Sequence, residues 1–199
     1  MKPQITPSKI TFNTGACFYF FISIFLVFFS PTFNAKAVSI ELERQLNTDS
    51  IEASEQVKEA IAKVEKTLNI FHQAAAQADK KTYLGLLTPQ SIFLGTDASE
   101  RWTKKEFTAF VSPIFSQGKG WLYRPVKRHV SLFNQGNSAF FDEILVNKKY
   151  GTCRGTGVLV NTAQGWKIFQ YNLSIPVPNA LSLDVVKIIK THEQAANKS

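Results

Sequence analysis

The sequence contains few of the residues that usually mark a catalytic site. It has two cysteines and three histidines in 199 residues, and none of them has the spacing of a zinc site. It also lacks a glycine-rich phosphate loop, a G-x-S-x-G nucleophile turn and the metalloprotease motif H-E-x-x-H. These absences exclude the common nucleotide-dependent, serine-hydrolase and zinc-protease classes. The sequence therefore predicts neither a metal nor a cofactor.

Acidic residues are absent from the first 40 positions, where Lys2 and Lys9 precede an almost uncharged run from Ala16 to Phe29. A helix that spans the hydrocarbon core needs about 20 apolar residues, and this run is shorter. A small-residue Ala-x-Ala pattern then ends at Ala37. The pattern predicts a signal peptide over residues 1–37, cleaved after Ala37. We expect a periplasmic or secreted protein with no stable membrane insertion after cleavage.

Removal of the signal peptide changes the charge and the cysteine content. The net charge falls from +8 to +5, because the peptide contains three basic and no acidic residues. One thiol remains, Cys153, so no internal disulfide can form, and we expect this residue to be a small buried hydrophobe on a strand. The paired basic residues are short and scattered, which is typical of a solvated surface and not of a nucleic-acid site. The pairs are Lys104-Lys105, Lys127-Arg128 and Lys148-Lys149.

The first half of the mature chain has helical patterns. Apolar residues recur every three or four positions between Val57 and Ala75, which predicts one amphipathic helix. Asp79 is a good N-cap for a short second helix that ends near Leu87, before Thr88-Pro89. The sequence Thr103-x-x-Glu106 is a capping box that begins a third helix. We divide the chain into the signal peptide 1–37, a polar segment 38–50, a domain over 51–190 and a tail over 191–199.

The second half changes to alternating, β-rich patterns from Trp121 onward. Turn signals at Asn134–Asn137, Asn147–Gly151 and Asn161–Gly165 separate four strands, which predicts an antiparallel meander. Helices followed by such a sheet indicate an α+β fold in which the helices cover one sheet face.

Several motifs resemble a known family when taken in order: FHQAAAQADKKTYLGLL, SIFLGTDASERWTKKEF, GKGW, FFDE, YGTCRGTGVL and GWKIFQYNLSIPVPN. From Val64 to Lys190 the chain is similar to the SnoaL-like branch of the nuclear-transport-factor-2-like (NTF2-like) superfamily. The resemblance implies an α+β cone, with three N-terminal helices packed on a curved antiparallel sheet of four or more strands around a pocket. It does not imply one reaction, because this superfamily includes isomerases, cyclases, hydrolases and binding modules. The Tyr and two Asp of its ketosteroid-isomerase-like enzymes have no clear counterpart here.

The hairpin turns predict a row of polar residues on the core face of the sheet. If Asn134–Asn137 are unpaired, Arg128 lies opposite Glu143. If only Lys148 and Lys149 form the second turn, Glu143 lies opposite Arg154. A five-residue third turn then places Asn172 opposite Arg154, with Gln170 on the same face. Buried charges must be paired, so these charged residues either form a closed structural network or offer one arginine to a ligand.

Three further residues are candidates for a pocket. Asp97 and Trp102 belong to a polar loop that either forms an ordinary turn or, as the resemblance implies, lies at the pocket mouth. His72 follows Phe71 on the first helix and lies at the border of its apolar stripe. A histidine there is either a hydrogen-bonded core residue or a group that faces the pocket. The assumed register places the hydroxyls of Tyr123 and Tyr171 away from the pocket.

We expect an exported domain that binds a small, largely apolar molecule with an anionic or carbonyl end. Two alternatives remain open, an isomerase- or hydrolase-type enzyme that uses the same pocket and a homodimeric interaction module without ligand chemistry. The second alternative follows from the predicted outer sheet face, which includes Phe140 and Phe169 and is too apolar to face water. Either the tail from Pro176 to Lys190 or a second copy of the chain would cover it.

Overall fold

The computed structural model describes residues 35–196 and the side chains of residues 39–196. The predicted signal peptide therefore lies almost entirely outside the described residues. Contacts divide the chain into two units, 1–43 and 44–199. The described part of the first unit is the beginning of helix α1 (Ala35–Ala76), and the second unit contains the rest of α1 and all other elements.

Helix α1 begins much earlier than the apolar pattern predicted. The predicted helix began at Val57, whereas the polar stretch before it is also helical and exposed. This stretch contains no glycine or proline, so nothing in the backbone ends the helix once the apolar half has nucleated it. Partial burial begins at Ala60, which packs against the core, and full burial begins at Val64.

The two short helices are capped as the sequence predicted. Helix α2 (Lys80–Gly85) has Asp79 as its N-cap, and the Asp79 carboxylate accepts a hydrogen bond from the backbone N–H of Thr82 at 3.1 Å. Helix α3 (Lys104–Phe115) begins with the capping box, in which Thr103 and Glu106 satisfy each other's backbone N–H groups. Helix α2 ends two residues earlier than expected, because a strand begins at Leu87.

Six strands form one curved, unclosed sheet, and the α+β fold is confirmed. The four strands of the predicted meander are consecutive neighbours. The strand Leu87–Leu94 runs parallel to the last strand of the meander. The short strand Arg101–Thr103 pairs antiparallel with the other edge of Leu87–Leu94, so the sheet is mixed. The strands are β1 (Leu87–Leu94), β2 (Arg101–Thr103), β3 (Arg124–Phe133), β4 (Ser138–Asn147), β5 (Gly151–Thr162) and β6 (Gly165–Ser174), in the order β2-β1-β6-β5-β4-β3.

The first of the three predicted turns is correct and the other two are wrong. Phe133 pairs with Ser138, so β3 and β4 have the expected register. In the second turn Gly151 adopts a φ of 68° and pairs with Asn147, which leaves a three-residue turn and shifts β5 by one residue. The third turn has two residues, and a β-bulge follows in β6 at Phe169.

The one-residue shift exchanges the two faces of β5. Cys153 is fully buried on the core face, as expected of a small hydrophobe. Gly155, Gly157 and Leu159 share this face, although the predicted register placed all three outside. The bulge in β6 likewise moves Tyr171 from the predicted outer face to the core face, where it is buried.

The outer sheet face is left open by the C-terminal segment. After a single 3-10 turn (Asn179–Leu181), helix α4 (Ser182–Ala196) contains no buried residue. Phe140 and Phe169 remain 52% and 43% exposed. Across residues 35–196, no helix is both long enough and apolar enough to cross a membrane.

Candidate functional site

A carboxylate lies at the centre of the domain, surrounded by hydrogen-bond donors. Glu143 on β4 has no exposed surface. Its Oε1 lies 2.6 Å from Nε2 of His72 and accepts a hydrogen bond from the Tyr171 hydroxyl at 3.0 Å. Its Oε2 accepts a hydrogen bond from Nε of Arg128 at 2.8 Å. Because a carboxylate can only accept, we assign the hydrogen of the shortest contact to Nε2 of His72.

Arg128 connects this carboxylate to helix α1. Its Nη1 donates to Oδ1 of Asn69 at 2.8 Å. Its Nη2 lies 2.7 Å from Oε2 of Glu143 but is not aligned with it as a hydrogen bond, and no other described group accepts from it. Arg128 therefore forms a close ion pair with Glu143, but its Nη2 donates no hydrogen bond to a described residue.

Two strand positions and two glycines make this arrangement fit. Arg128 and Glu143 are directly opposite each other on β3 and β4, as the first turn predicted. The position opposite Glu143 on β5 is Gly155. A Cβ atom there would lie 2.5 Å from the Tyr171 hydroxyl and 2.8 Å from Oε1 of Glu143. A Cβ at Gly157 would meet the backbone oxygen of Gln170 and the ring of Phe141. Gly155 thus makes room for the Tyr171 hydroxyl of β6 to reach the Glu143 carboxylate of β4.

The network holds the carboxyl of Glu143 in its charged form. Burial by itself would raise the pKa of Glu143, but the hydrogen bond and charge of His72, together with the charge of Arg128, outweigh it and lower the pKa. The Tyr171 hydroxyl is affected in the opposite direction. Burial, and then the neighbouring negative charge of Glu143, raise its pKa well above the ordinary value, so it remains a donor.

The structure brings together three of the predicted site residues and separates three others. Arg128, Glu143 and His72 are in direct contact. Arg154 pairs with Ile144 and is exposed, so the expected contact between Arg154 and Glu143 does not form. Gln170 and Asn172 pair with Val158 and Thr156, which places both on the outer face and corrects the expected polar row. The physical cause is the one-residue shift in the second turn together with the bulge in β6.

The loop that contains Asp97 and Trp102 forms one edge of an aromatic cavity. Asp97 is exposed, and its carboxylate accepts hydrogen bonds from the backbone and hydroxyl of Ser99, as in an ordinary turn. Trp102 lies on β2 and stacks on Phe110, with ring centroids 4.9 Å apart. Trp102 lines the cavity and Asp97 does not.

The cavity has a volume of about 260 Å³, and aromatic side chains form most of its wall. Four polar side chains also line it, those of Thr96, Glu100, Tyr123 and Tyr150. Burial raises the pKa of Tyr123 to about 12, so its hydroxyl is a neutral donor at physiological pH. The apolar side chains of the wall include Phe93, Trp102, Phe107, Phe110, Trp121 and Leu173.

Tyr123 also lines a second space, a cleft of about 310 Å³ between α1 and the beginning of β3. His72 and Arg124 line this cleft as well. The predicted register placed Tyr123 and Tyr171 on the outer face, whereas Tyr123 lines both spaces and Tyr171 is buried on the core face beside Glu143. A glycine inside a strand, here Gly155, is a sequence signal of the close approach by Tyr171. Tyr123 precedes β3, and no local pattern indicates its role.

No metal site is evident among the residues from Ala35 to Ala196, where no group of three or more His, Cys, Asp or Glu side chains is close enough to hold an ion. Glu143, His72 and Arg128 instead form an internal acid–base cluster. The chemistry that such a cluster supports is proton transfer and hydrogen bonding, with the aromatic cavity as the space for an apolar molecule.

Comparisons with known proteins agree with this architecture. The family model of the SnoaL-like domain matches residues 64–178. Among solved structures, an NTF2-like protein with a cystatin-like fold from Novosphingobium aromaticivorans is similar with a TM-score of 0.51 and 10% identity, over 65% of this chain and 90% of that one. An NTF2-like family protein from Streptomyces avermitilis, provisionally described as a dehydratase, has a TM-score of 0.50 and 17% identity, over 59% of this chain and 96% of that one.

At these identities the similar structures establish the fold and no reaction. A search of curated proteins finds none with significant sequence similarity.

Proposed function

The chain belongs to the SnoaL-like domain family, and we propose that it binds a small, largely apolar ring compound with a carbonyl end in the aromatic cavity. The observation that carries this proposal is the wall of the cavity. Phe93 stacks on Phe107 with ring centroids 3.9 Å apart, Trp102 stacks on Phe110, and a tilted contact between Trp102 and Phe107 joins the two pairs. Flat ring compounds gain stacking energy against such a wall.

The size and the polar groups of the cavity narrow the ligand class. A volume of about 260 Å³ lies just below the usual range of ligand sites and suits a molecule of one or two rings. The sequence left open an anionic or a carbonyl end. Glu100 lines the cavity, whereas Arg128 and Arg154 do not. A negative wall disfavours an anion, while the Tyr123 hydroxyl can donate a hydrogen bond to a carbonyl oxygen. We therefore favour the carbonyl end.

Binding can be tested with two probes that differ only at the polar end. Calorimetric titration with 2-acetylnaphthalene should give saturable binding, and naphthalene-2-carboxylate should bind at least about tenfold more weakly. Tyr123→Phe removes one hydrogen bond and should weaken ketone binding by about 0.5–1.5 kcal/mol. Phe169→Leu on the outer face is the matched control and should bind as the unmodified protein does.

Tighter binding of the carboxylate would restore the anionic alternative. If neither probe gave saturable heat, and native mass spectrometry of purified protein showed no retained ligand, the binding function would be wrong.

We also propose that the domain is a homodimer that pairs through the outer sheet face. Phe133 and Phe140 contact each other there, with ring centroids 6.2 Å apart, and both are about half exposed. Exposed aromatic clusters of this kind are typical of interfaces.

Ultracentrifugation at tens of micromolar should give twice the monomer mass for the unmodified protein and for Leu183→Lys on α4. Phe140→Lys should give monomers. Dissociation by Leu183→Lys alone would instead assign the contact to α4. A monomeric unmodified protein would contradict the dimer.

The export expectation also remains a proposal. We propose a periplasmic or secreted location, supported by the basic start, the short apolar run and the Ala-x-Ala pattern in the sequence.

A further inference from the structure

A large cleft next to the aromatic cavity combines aromatic rings with positive charge, and we call it the basic cleft. It has a volume of about 660 Å³ and is lined by residues 120–124, 126 and 146–150. Three cationic side chains belong to this lining, those of Arg124, Lys148 and Lys149, and no acidic residue does. Within residues 39–196 none of the three forms an ion pair. The basic cleft therefore carries positive charge that the described side chains do not balance.

The turn between β4 and β5 holds its two lysines close to the beginning of β3. Asn147 ends β4, and its side-chain oxygen accepts hydrogen bonds from the backbone N–H groups of Lys149 and Tyr150 at 2.9 and 3.0 Å. Its Nδ2 donates to the backbone oxygen of Leu122 at 3.0 Å. One side chain thus ties the turn to the segment before β3, and Arg124 is the first residue of that strand. The basic side chains are therefore held around one space.

The basic cleft and the aromatic cavity adjoin each other. Trp121, Tyr123 and Tyr150 line both spaces. The ammonium group of Lys149 lies over the ring of Tyr150, 4.8 Å from its centroid, so a cation stands at the boundary. Glu100 lines the cavity and not the basic cleft. A molecule that occupies both spaces would therefore meet stacked rings in the cavity and positive charge in the cleft.

We propose that the ligand carries a second polar group, an anionic group on a short chain, and that the basic cleft binds it. This inference rests on the proposed binding of a ring-containing carbonyl compound in the aromatic cavity. The ring occupies the cavity, the carbonyl oxygen accepts a hydrogen bond from Tyr123 at the boundary, and the chain extends into the cleft. Arg124, Lys148 and Lys149 bind the anionic group there. The ligand class is thus an acidic ring compound, such as a keto acid.

The position of the charge distinguishes this ligand from the simple carboxylate that the cavity disfavours. A carboxylate bonded directly to the ring would lie inside the cavity with Glu100, where like charges repel. A carboxylate beyond the carbonyl group faces the cations instead. These cations are exposed, so each contributes little alone and the preference depends on all three. They surround one space of the size usual for small ligands, which favours a small molecule over an acidic polymer.

Two matched compounds test the charge. The keto acid 3-(2-naphthoyl)propanoate is 2-acetylnaphthalene extended by a carboxymethyl group, and its primary amide has nearly the same shape without the charge. In calorimetric titration at low salt the acid should bind about three- to tenfold more tightly than the amide. This preference should disappear between about 0.01 M and about 1 M salt, because the Debye length falls from about 30 Å to about 3 Å. An acid that binds no more tightly than the amide would overturn the inference.

Paired lysine variants test where the anionic group binds. Lys148→Gln/Lys149→Gln should remove most of the preference for the acid and leave the affinity for the amide unchanged, which also reports that the variant is folded. Lys80→Gln/Lys81→Gln is the matched control, because it removes two adjacent exposed lysines of α2 that line neither space. It should bind both compounds as the unmodified protein does. Equal losses of acid affinity in the two double variants would reflect net charge alone and would overturn binding in the basic cleft.

Phe110→Ala separates this inference from the binding function. Phe110 lines the cavity and not the basic cleft, so the variant should weaken binding of the acid and the amide by the same factor. Binding of the amide and of 2-acetylnaphthalene, without any advantage of the acid, would overturn the inference and retain the binding function. Binding of the acid alone, unaffected by Phe110→Ala and weakened by Lys148→Gln/Lys149→Gln, would contradict the cavity ligand and retain the basic cleft as an anion site.

Discussion

The Tyr171 hydroxyl reaches Oε1 of Glu143 at 3.0 Å by passing over Gly155, the residue opposite Glu143 in the sheet. Three strands thus contribute to one contact. β6 provides the donor, β4 the acceptor, and β5 the space between them. This contact depends on the absence of a single methyl group.

Gly155→Ala should therefore destabilise the domain. The added Cβ would lie 2.5 Å from the Tyr171 hydroxyl and 2.8 Å from Oε1 of Glu143, so the buried network would have to shift. We expect a loss of about 1–3 kcal/mol in the free energy of unfolding, measured with urea. Gly85→Ala is the matched control, since a Cβ there meets nothing within 4 Å, and it should be neutral or slightly stabilising. Equal effects of the two changes would contradict the close approach over Gly155.

Removing the central charge should cost more. Glu143→Gln leaves Arg128 without its buried counter-ion, and the expected loss is about 3–5 kcal/mol. Asp142→Asn changes the neighbouring, exposed carboxylate and should alter stability by less than about 0.5 kcal/mol. Thermal denaturation of both variants provides the measurement. A loss below about 1 kcal/mol for Glu143→Gln would mean that water enters the site.

The same carboxyl predicts how stability depends on pH. The pKa of Glu143 is lower in the folded protein than in the unfolded chain, so its contribution is present above the unfolded pKa, near 4.3, and is lost as the pH falls through the folded pKa. Stability should therefore fall in acid, below about pH 4. Glu143→Gln should show a shallower decline, measured by urea unfolding across this range. Parallel curves for the two proteins would contradict the lowered pKa.

The two arginines of the expected polar row should behave differently. Arg128→Met removes the partner of a fully buried carboxylate and should destabilise the protein by several kcal/mol. Arg154→Met changes an exposed residue on the outer face, so stability and the affinity for 2-acetylnaphthalene should both stay within about 0.5 kcal/mol of the unmodified protein. Calorimetry measures both quantities. A large effect at Arg154 would favour the register that the structure contradicts.

Processing of the N-terminus is a separate prediction from the sequence. Cleavage after Ala37 should give mature protein that begins at Val38. Mass spectrometry of material recovered outside the cytoplasm checks this. A preparation that retains Met1 would show that the apolar run is kept as an anchor.

The sequence by itself determined the features that depend on neighbouring residues. The N-cap Asp79, the capping box at Thr103 and the first hairpin were predicted correctly, because each involves residues within a few positions of one another. The pairing of Arg128 with Glu143 followed directly from that hairpin. The family resemblance was confirmed by the match to residues 64–178.

Only the tertiary structure decided how the site is assembled. His72 and Glu143 are 71 positions apart and meet because α1 packs on the sheet, which no local pattern specifies. Arg154 and Tyr171 each lie on the sheet face opposite to the one predicted. The turn at Gly151 and the bulge at Phe169 each change the strand alternation by one residue. Strand alternation has a period of two, so a single-residue difference in a turn reverses every side chain that follows, and packing against the helices selects between the two possibilities.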